Sequence, residues 1–579
     1  MKFKTVADYF ERINAESSRT AITKLLAELF DKATAHEAQI ISYLSLGLLR
    51  APYKGNQFNM ADKLVTRVIA RLLTSDVAYI DELMQKSGDL GTVVGHYYQH
   101  EHEHSATLLS VYNNLELLEN MGGAGSQEEK SEFLYTLLAS VDALSAQYIV
   151  RVVLGNLRLG FSDMTIIDAL SWMLTGSKSL HERIEHAYNV CADIGLITAL
   201  LKEKGAAALD DVSIIIGIPI RPAAAERLPT AQDIFEKIGP CAVQPKLDGF
   251  RLQIHCDNRN GSKKRWFYSR NLSDMSDMFP DLVAAFDKIN VQTLIVEGEA
   301  IVYDENTQSF VPFQETVKRK RKHDVEEVAQ QLPLKLFLFD ILYHDGESLL
   351  NKAHTTRRDT MLHIVSSQFS EVISVISERS VESADALEKY FLENINAGLE
   401  GVVVKKPSSH YQPGKRNFNW IKLKYHASRT LLDTIDVVVL GYYYGSGKRS
   451  AFGIGAFLVG VYNKHKDCFE TLAKVGTGMK DVDWHELKAK CDKIALKAQL
   501  HNVVCDPHLA PDVWVAPSLV CVVRADEITI SPVHTAGKSG QNLGFALRFP
   551  RFIGYRSDKS PEETTSVQEI FTLFEQQKK

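Results

Sequence analysis

Nowhere does the chain carry the run of about eighteen apolar residues that a membrane-spanning helix needs. Its first stretch, MKFKTVADYFERINAESS, lacks an apolar signal core and mixes acidic with basic residues, so neither a secretory signal nor a transit peptide is expected. No CxxC pair occurs. The seven cysteines, at 191, 241, 256, 468, 491, 505 and 521, are scattered and odd in number, which argues against a structural zinc module and for a reducing, cytoplasmic setting. There is no surplus of positive charge either: 66 Lys and Arg face 72 Asp and Glu, for a net charge of −6. A basic average is not required for nucleic-acid binding, because phosphates are met by local cations. Internal repeats are also missing. GYYYGSGKRS contains Gly-Lys without the spacing of a phosphate-binding P-loop.

What is present is 579 residues of ordinary globular composition, a length that suits roughly four domains. Three textures follow one another. Residues 1–214 read as helical. Leu25, Leu26, Leu29 and Phe30 line one face of Thr20–Ala33, and similar spacing recurs in Ala61–Leu73, Glu132–Ala146 and Thr165–Leu174. IIIGIPIRPAAAERLP marks the start of a second domain, 215–427. In it FRLQIH, TLIVEGEAIVY, LKLFLFDILY, GVVVKKP and WIKLKY read as strands, with helical segments between them. From 428 to 579, short strands with glycine turns predict a small β-barrel.

The chemistry begins at Lys246 in AVQPKLDGFRLQIH, on a tight turn between two strand-like segments. Period two puts Phe250, Leu252 and Ile254 on one face of the second strand and Arg251 and Gln253 on the other. A lysine amine is nucleophilic only when neutral, and burial or a neighbouring cation such as Arg251 favours that state. The same alternation in WIKLK sets Lys422 and Lys424 on one strand face with Ile421 and Leu423 behind. Two cations on a rigid strand suit a phosphate whose charge grows in a transition state.

These segments, in this order and spacing, resemble the covalent nucleotidyltransferases, and among them the ATP-dependent DNA ligases of archaeal and eukaryotic replicative type. The resemblance spans nearly the whole chain. It rests on KLDGFR, on YSRN with Arg270, on VEGEAIVY with Glu299 and on FLFDILY with Phe339. LEGVVVK with Glu400 and Lys405, RNFNWIKLK with Arg416, Lys422 and Lys424, and LRFPRFIGYRSDKSPEE with Arg556, Asp558 and Lys559 complete it. The resemblance implies a multidomain α+β protein: an all-α DNA-binding domain (1–214), an α/β adenylation domain (215–427) and a C-terminal OB-fold barrel (428–579).

It also implies roles. Lys246 would be the nucleophile toward ATP. Lys422 would touch the α-phosphate with Lys424 beside it, and Arg251, Arg270 and Arg416 would flank the nucleotide. Phe339 would stack on adenine. Glu299 would meet the ribose or Mg²⁺, and Glu400 would meet Mg²⁺. Arg556 and Lys559 would hold the β and γ phosphates after the barrel swings over about 427–432. Gln244 stands where the family usually has Glu to read the adenine amino group; its amide still offers an acceptor.

The implied partner is nicked duplex DNA, met by a monomer. No clamp-binding peptide is evident, though a sliding clamp remains a further candidate. RVVLGNLRLGFSDMTIIDAL and SYLSLGLLRAPYKG resemble the family's DNA-binding domain, with Arg151 and Arg158 as candidate contacts or ordinary surface or packing arginines. That domain separates the chain from RNA ligases and capping guanylyltransferases, the rivals of the same fold. A non-catalytic DNA-binding scaffold would have no use for Lys246, Glu299, Glu400 and Lys422 together. Three other features invite blander readings. KRKRK at 318–322 is expected to be a solvated or DNA-facing segment. Lys448 and Arg449 sit on a barrel turn that could touch DNA. His96, His100 and His104 are more consistent with a polar helix face than with a metal site.

Overall fold

The computed structural model describes the chain apart from residues 56, 100–105, 124, 156, 158, 161, 305–308, 312–315, 317–318, 320–324, 367–371, 425–433, 541 and 579. It forms two compact units. One comprises Met1–Val65 with His100–Tyr425, and the other Thr66–Gln99 with His426–Lys579.

In the first unit the N-terminal part is helical, as its periodicity predicts. The helix Arg19–Lys32 buries Ile22, Leu26, Leu29 and Phe30 and is capped by the Ser18 hydroxyl, which accepts from Ala21 N. Ala35–Ser45 starts with a capping box between Thr34 and Glu37. The single helix expected over Glu132–Ala146 is instead two, Ser126–Ala139 and Ala143–Val153. The break has a local cause: Asp142 accepts from Ser145 N and so caps a new helix, which apolar spacing alone cannot reveal.

The central region, 222–424, is built on two sheets. The five-stranded sheet runs in the order Ala224–Arg227, Arg416–Lys424, Gly401–Lys405, Cys241–Pro245, Arg379–Val381. One face packs Val243, Val402, Val404, Ile421 and Leu423 against Ala231 and Ile234 of one helix and Leu387 and Phe391 of another. The seven-stranded sheet has Lys264–Ser269, Phe250–Asp257, Thr293–Asp304 and Leu334–His344 as consecutive neighbours. Leu252, Ile254, Val296, Leu336 and Leu338 share its core with Phe279, Leu282 and Phe286. Its other face is also covered. The segment expected to open the domain lies along it: Gly217 N donates to His255 Nδ1 (3.1 Å), and Ile220 N donates to Gln253 Oε1 (2.7 Å). Gln253, assigned to a polar face by alternation, is therefore buried at 4 % exposure, and His255 beside it at 0 %.

The second unit holds the third texture. Ile435–Tyr443 is central in its main sheet, with Ala456–Asn463, Val513–Val515 and Val520–Arg524 as neighbours; Cys468–Val475 pairs with Ala456–Asn463. Register shifts at Val439/Gly441 and Val459/Gly460 bend these strands, and the sheet curls about a core of Val437, Val439, Phe457, Leu472 and Cys521. Among the described residues, no helix is long and apolar enough to cross a membrane.

Candidate active site

Lys246 stands on the link between the two central sheets, leaving one at Pro245 and entering the other at Phe250. Two glycines make that link possible. A Cβ on Gly249 would lie 2.3 Å from the Ala300 carbonyl oxygen, so only glycine lets the turn close onto the strand Thr293–Asp304. Gly401 has φ +140°, where an added Cβ would meet Leu423 O at 2.2 Å, and its own carbonyl accepts from Lys246 N at 2.9 Å.

Register then collects the polar side chains. Gln244 is opposite Val403, and Val403 is opposite Lys422, so these three share one side of the sheet. Lys424 continues that side two residues further along its strand, and Lys246, one residue past the end of its own, meets it at Glu400. The opposite side is the apolar core already described. Lys246 Nζ contacts Glu400 Oε2, and Lys424 Nζ lies 3.0 Å from the same oxygen. Burial opposes ionisation of Glu400, but Lys246 and Lys424 outweigh it and hold the carboxyl below its ordinary range. Lys422 is pushed down by burial and then by Lys424, Arg416, Lys246 and Arg270. Five cations thus converge on one half-buried spot. Such crowding is unfavourable for the protein alone and favourable once a polyphosphate occupies it. Glu299 accepts from Gly249 N at 3.2 Å, and burial raises it to about 7 against the pull of Lys246 and Arg251.

Several expected residues are placed otherwise. The immediate partner of Lys246 is the carboxylate Glu400, not Arg251. Arg251 donates to Glu297 Oε2 (2.9 Å) and to Ala223 O (2.8 Å), and its guanidinium lies 5.3 Å from the Phe339 ring centroid and 5.7 Å from that of Trp420. Phe339 is half-buried, edge-on to Trp420 at 6.0 Å. Behind it lies buried Lys405, whose Nζ donates to Phe339 O (2.7 Å) and sits 3.7 Å from Asp340; burial brings its amine down to about 8. Asp340 in turn receives Arg357 Nε at 2.7 Å, and that guanidinium drives its carboxyl down to about 2 against the effect of burial.

Arg556 and Lys559 belong to the second unit. There Arg556 pairs with Asp558 (2.7 Å) and Asp436 (3.4 Å), and Lys559 with Asp436 (2.5 Å). Arg151 is buried, its guanidinium over the Tyr148 ring at 5.0 Å, so the packing reading holds and the DNA contact is dropped. Arg158 falls outside the described residues, as do His100, His104 and four of the five residues in KRKRK. The fifth, Arg319, is buried against Asp281 at 2.6 Å rather than solvated. Arg449 folds back to Gly455 O at 2.8 Å and over Trp484 at 5.1 Å. His96 lies edge-on to Tyr97, and among the described residues no cluster of three or more His, Cys, Asp or Glu is set to hold a metal.

One group escaped the sequence reading. Glu378 accepts from Gln244 Nε2 at 2.7 Å and shares a hydrogen bond with His354 Nε2 at 2.9 Å; Arg358 Nε lies 3.2 Å away. Gln244 and Glu378 are separated by 134 residues of sequence, so no local pattern could join them.

Comparison with known proteins gives a consistent result. The family model described as "ATP dependent DNA ligase domain" matches residues 222–424. "DNA ligase N terminus" matches 2–171, and "ATP dependent DNA ligase C terminal region" matches 450–559. The chain is 41 % identical to "Probable DNA ligase" of Dictyoglomus turgidum, over 100 % of this chain and 98 % of that protein. It is 37 % identical to "DNA ligase 2" of Thermofilum pendens, over 100 % and 98 %. It is 36 % identical to "DNA ligase 1" of Methanosarcina acetivorans, over 99 % and 100 %. The solved structure titled "Pmar-Lig_PreS3" is similar in fold, with a TM-score of 0.54 at 18 % identity, covering 95 % of this chain and 99 % of that one.

Proposed function

The chain belongs to the ATP-dependent DNA ligase family, and from that membership we propose that Lys246 is the residue that carries AMP during nick sealing. The enzyme is a DNA ligase that uses ATP. In the first step the Lys246 amine attacks the α-phosphate, a P–N bond forms, and the bond to pyrophosphate breaks. The amine must shed a proton first, and the carboxylate of Glu400, already in contact with Nζ, is the nearest acceptor. The adenylate then passes to the 5′-phosphate at a nick. The 3′-hydroxyl attacks that phosphate, AMP leaves, and the strand is joined.

The observation that carries this reading is that Lys246, Lys424, Arg416 and Arg270 all lie close enough to Lys422 to act on its charge. These cations would bind the phosphates and stabilise the charge that builds on the α-phosphate. Phe339 would stack on the base, Arg251 would brace the wall beside it, and Gln244 would meet the adenine amino group. Arg556 and Lys559 would exchange Asp436 for the β and γ phosphates and orient pyrophosphate as the leaving group. Glu299 and Glu400 offer oxygen donors beside a phosphate site, the donor chemistry Mg²⁺ takes. A raised carboxyl such as Glu299 would release its proton to solvent when a neighbouring dication binds. Mg²⁺, when bound, would neutralise phosphate charge. The N-terminal helices would hold the duplex through its phosphates and minor groove, without reading sequence. We place the enzyme in the cytoplasm as a monomer, a setting that suits seven thiols of which six are buried. A sliding clamp is carried as a further partner.

The test is covalent labelling with ATP radioactive at the α-phosphate, in Mg²⁺, after pyrophosphate has stripped any resident AMP. Wild type should take covalent label, stable to base and released by acid as a P–N bond requires, that Lys246→Ala abolishes. Lys422→Ala and Lys559→Ala should slow labelling by about tenfold or more. Label in Lys246→Ala equal to wild type would remove the lysine from its role. Label from GTP alone would favour a capping enzyme, and sealing of nicked RNA but not nicked DNA would favour an RNA ligase.

A further inference from the structure

At the six-position of the purine edge, adenine presents an amino donor where guanine presents a carbonyl acceptor. A glutamine side chain can serve either, because rotating its amide by a half-turn exchanges acceptor for donor. Gln244 as such therefore does not select a base. What decides is which end of the amide faces the nucleotide, and that depends on what holds the other end.

Gln244 is 2 % exposed and shares its sheet side with Lys422. Its Nε2 donates to Glu378 Oε2 at 2.7 Å. Glu378 belongs to the loop ahead of the edge strand Arg379–Val381, which pairs with the strand of Gln244. It is itself held from behind. His354, 1 % exposed, reaches the same Oε2 at 2.9 Å, and Arg358 lies 3.2 Å from Oε1. Burial opposes ionisation of Glu378, but His354 and Arg358 reverse this and hold the carboxyl below its ordinary range. An ionised carboxylate only accepts hydrogen bonds. Facing it, the amide has one stable orientation, with Nε2 toward Glu378 and Oε1 turned away. Among the described residues Oε1 accepts no hydrogen bond, so it is open to a ligand's donor.

We infer that Glu378 is a specificity-determining positioning residue: by fixing the amide of Gln244 it turns an ambiguous side chain into an acceptor and makes the site choose adenine over guanine. The inference rests on the reading of Lys246 and its sheet side as the nucleotide site. Glu378 touches neither base nor phosphate in this scheme. It acts through Gln244, with His354 and Arg358 holding it in place. With Glu378→Gln, two amides face each other and either orientation pairs equally well, one of which offers guanine a donor.

The experiment measures lysyl-nucleotide formation from α-labelled ATP and GTP by the full-length protein stripped of AMP. Wild type should prefer ATP strongly. E378Q should lower the ATP-to-GTP ratio of kcat/KM by about tenfold or more, the range expected when a buried acceptor loses its fixed partner. The change should come from a raised KM for ATP and new use of GTP, with kcat at saturating ATP nearly unchanged. The exchange Q244E/E378Q keeps one carboxylate and one amide in contact, so it should fold even where E378Q does not. It presents an acceptor-only group to the base and should restore the preference. An unchanged ratio in E378Q overturns the inference, as does a parallel loss with both nucleotides or a swapped variant that admits GTP freely. A wild-type chain that takes no label from either nucleotide would instead sink the ligase reading, and this inference with it.

Discussion

Arg251 has two partners inside the fold. Its Nη2 pairs with Glu297, which is fully buried and also receives the Tyr411 hydroxyl at 2.9 Å. The same hydroxyl accepts from Ala223 N, whose carbonyl takes Arg251 Nη1. The four groups form a closed ring beneath Phe339 and Trp420. Truncating the arginine would leave the buried Glu297 carboxyl without its partner, a loss of roughly 3–5 kcal/mol in such sites. Arg251→Ala is therefore expected to lower the unfolding free energy of the ATP-free protein, read from urea titration, by that amount. A variant as stable as wild type, impaired only in ATP use, would return Arg251 to a direct phosphate contact. The motif marks the residue as important; it does not say whether the guanidinium faces ligand or protein.

At the scale of elements, the segment 217–223 is bound to the strand Phe250–Asp257 through groups that titrate. Gly217 N–H points at His255 Nδ1, so that nitrogen must be the acceptor and the proton sits on Nε2, facing Gln253 Oε1 at 3.0 Å. A second proton would set two donors against each other. Burial accordingly takes His255 down to about 3. Below pH 6.5 the unfolded chain binds a proton that the folded chain refuses, so stability falls as pH falls from 6.5 toward 3. The slope is about 1.4 kcal/mol per pH unit once the unfolded histidine is fully charged. His534, lowered by burial to about 4, adds to the same loss in wild type. Urea titrations at pH 7 and pH 5 should show His255→Gln losing about 2 kcal/mol less than wild type over that interval. Equal losses would mean that the histidine is not held neutral by this contact.

At the scale of the whole molecule, the N-terminal helices and the central sheets meet within one unit. Arg221 lies over the Tyr188 ring at 4.9 Å and 3.3 Å from Asp163, and Val190 joins the core of Ile220, Tyr411 and Trp420. Among the described residues, the cations gathered with Lys246 come from the central strands and their turns. Removal of residues 1–210 should therefore lower the melting temperature and abolish nick sealing, while lysyl-adenylate still forms. Melting curves, labelling and sealing assays on the one truncated protein separate these effects. Sealing at the full-length rate would reject a DNA-holding role for the helices.

Much of this molecule is written in local pattern. Alternation in WIKLK set Lys422 and Lys424 on one side of a strand, and they are there, half-buried over Ile421 and Leu423. The strands of the central region and most of the N-terminal helices follow from spacing, because each must turn one apolar side to a core. The Lys246 motif and its companions were legible as well, since a nucleophile and its phosphate ligands have to stand on turns and strand faces of definite type. Two matters were decided only in three dimensions: which partner each polar group takes and whether a strand's second face is covered. Arg251 met Glu297, Gln244 met Glu378 across 134 residues, and the segment after 214 closed over Gln253 and His255. Periodicity reports the direction of a side chain relative to its own element. Hydrogen bonds and ion pairs between distant elements depend on how those elements pack, and that is a property of the assembled chain alone.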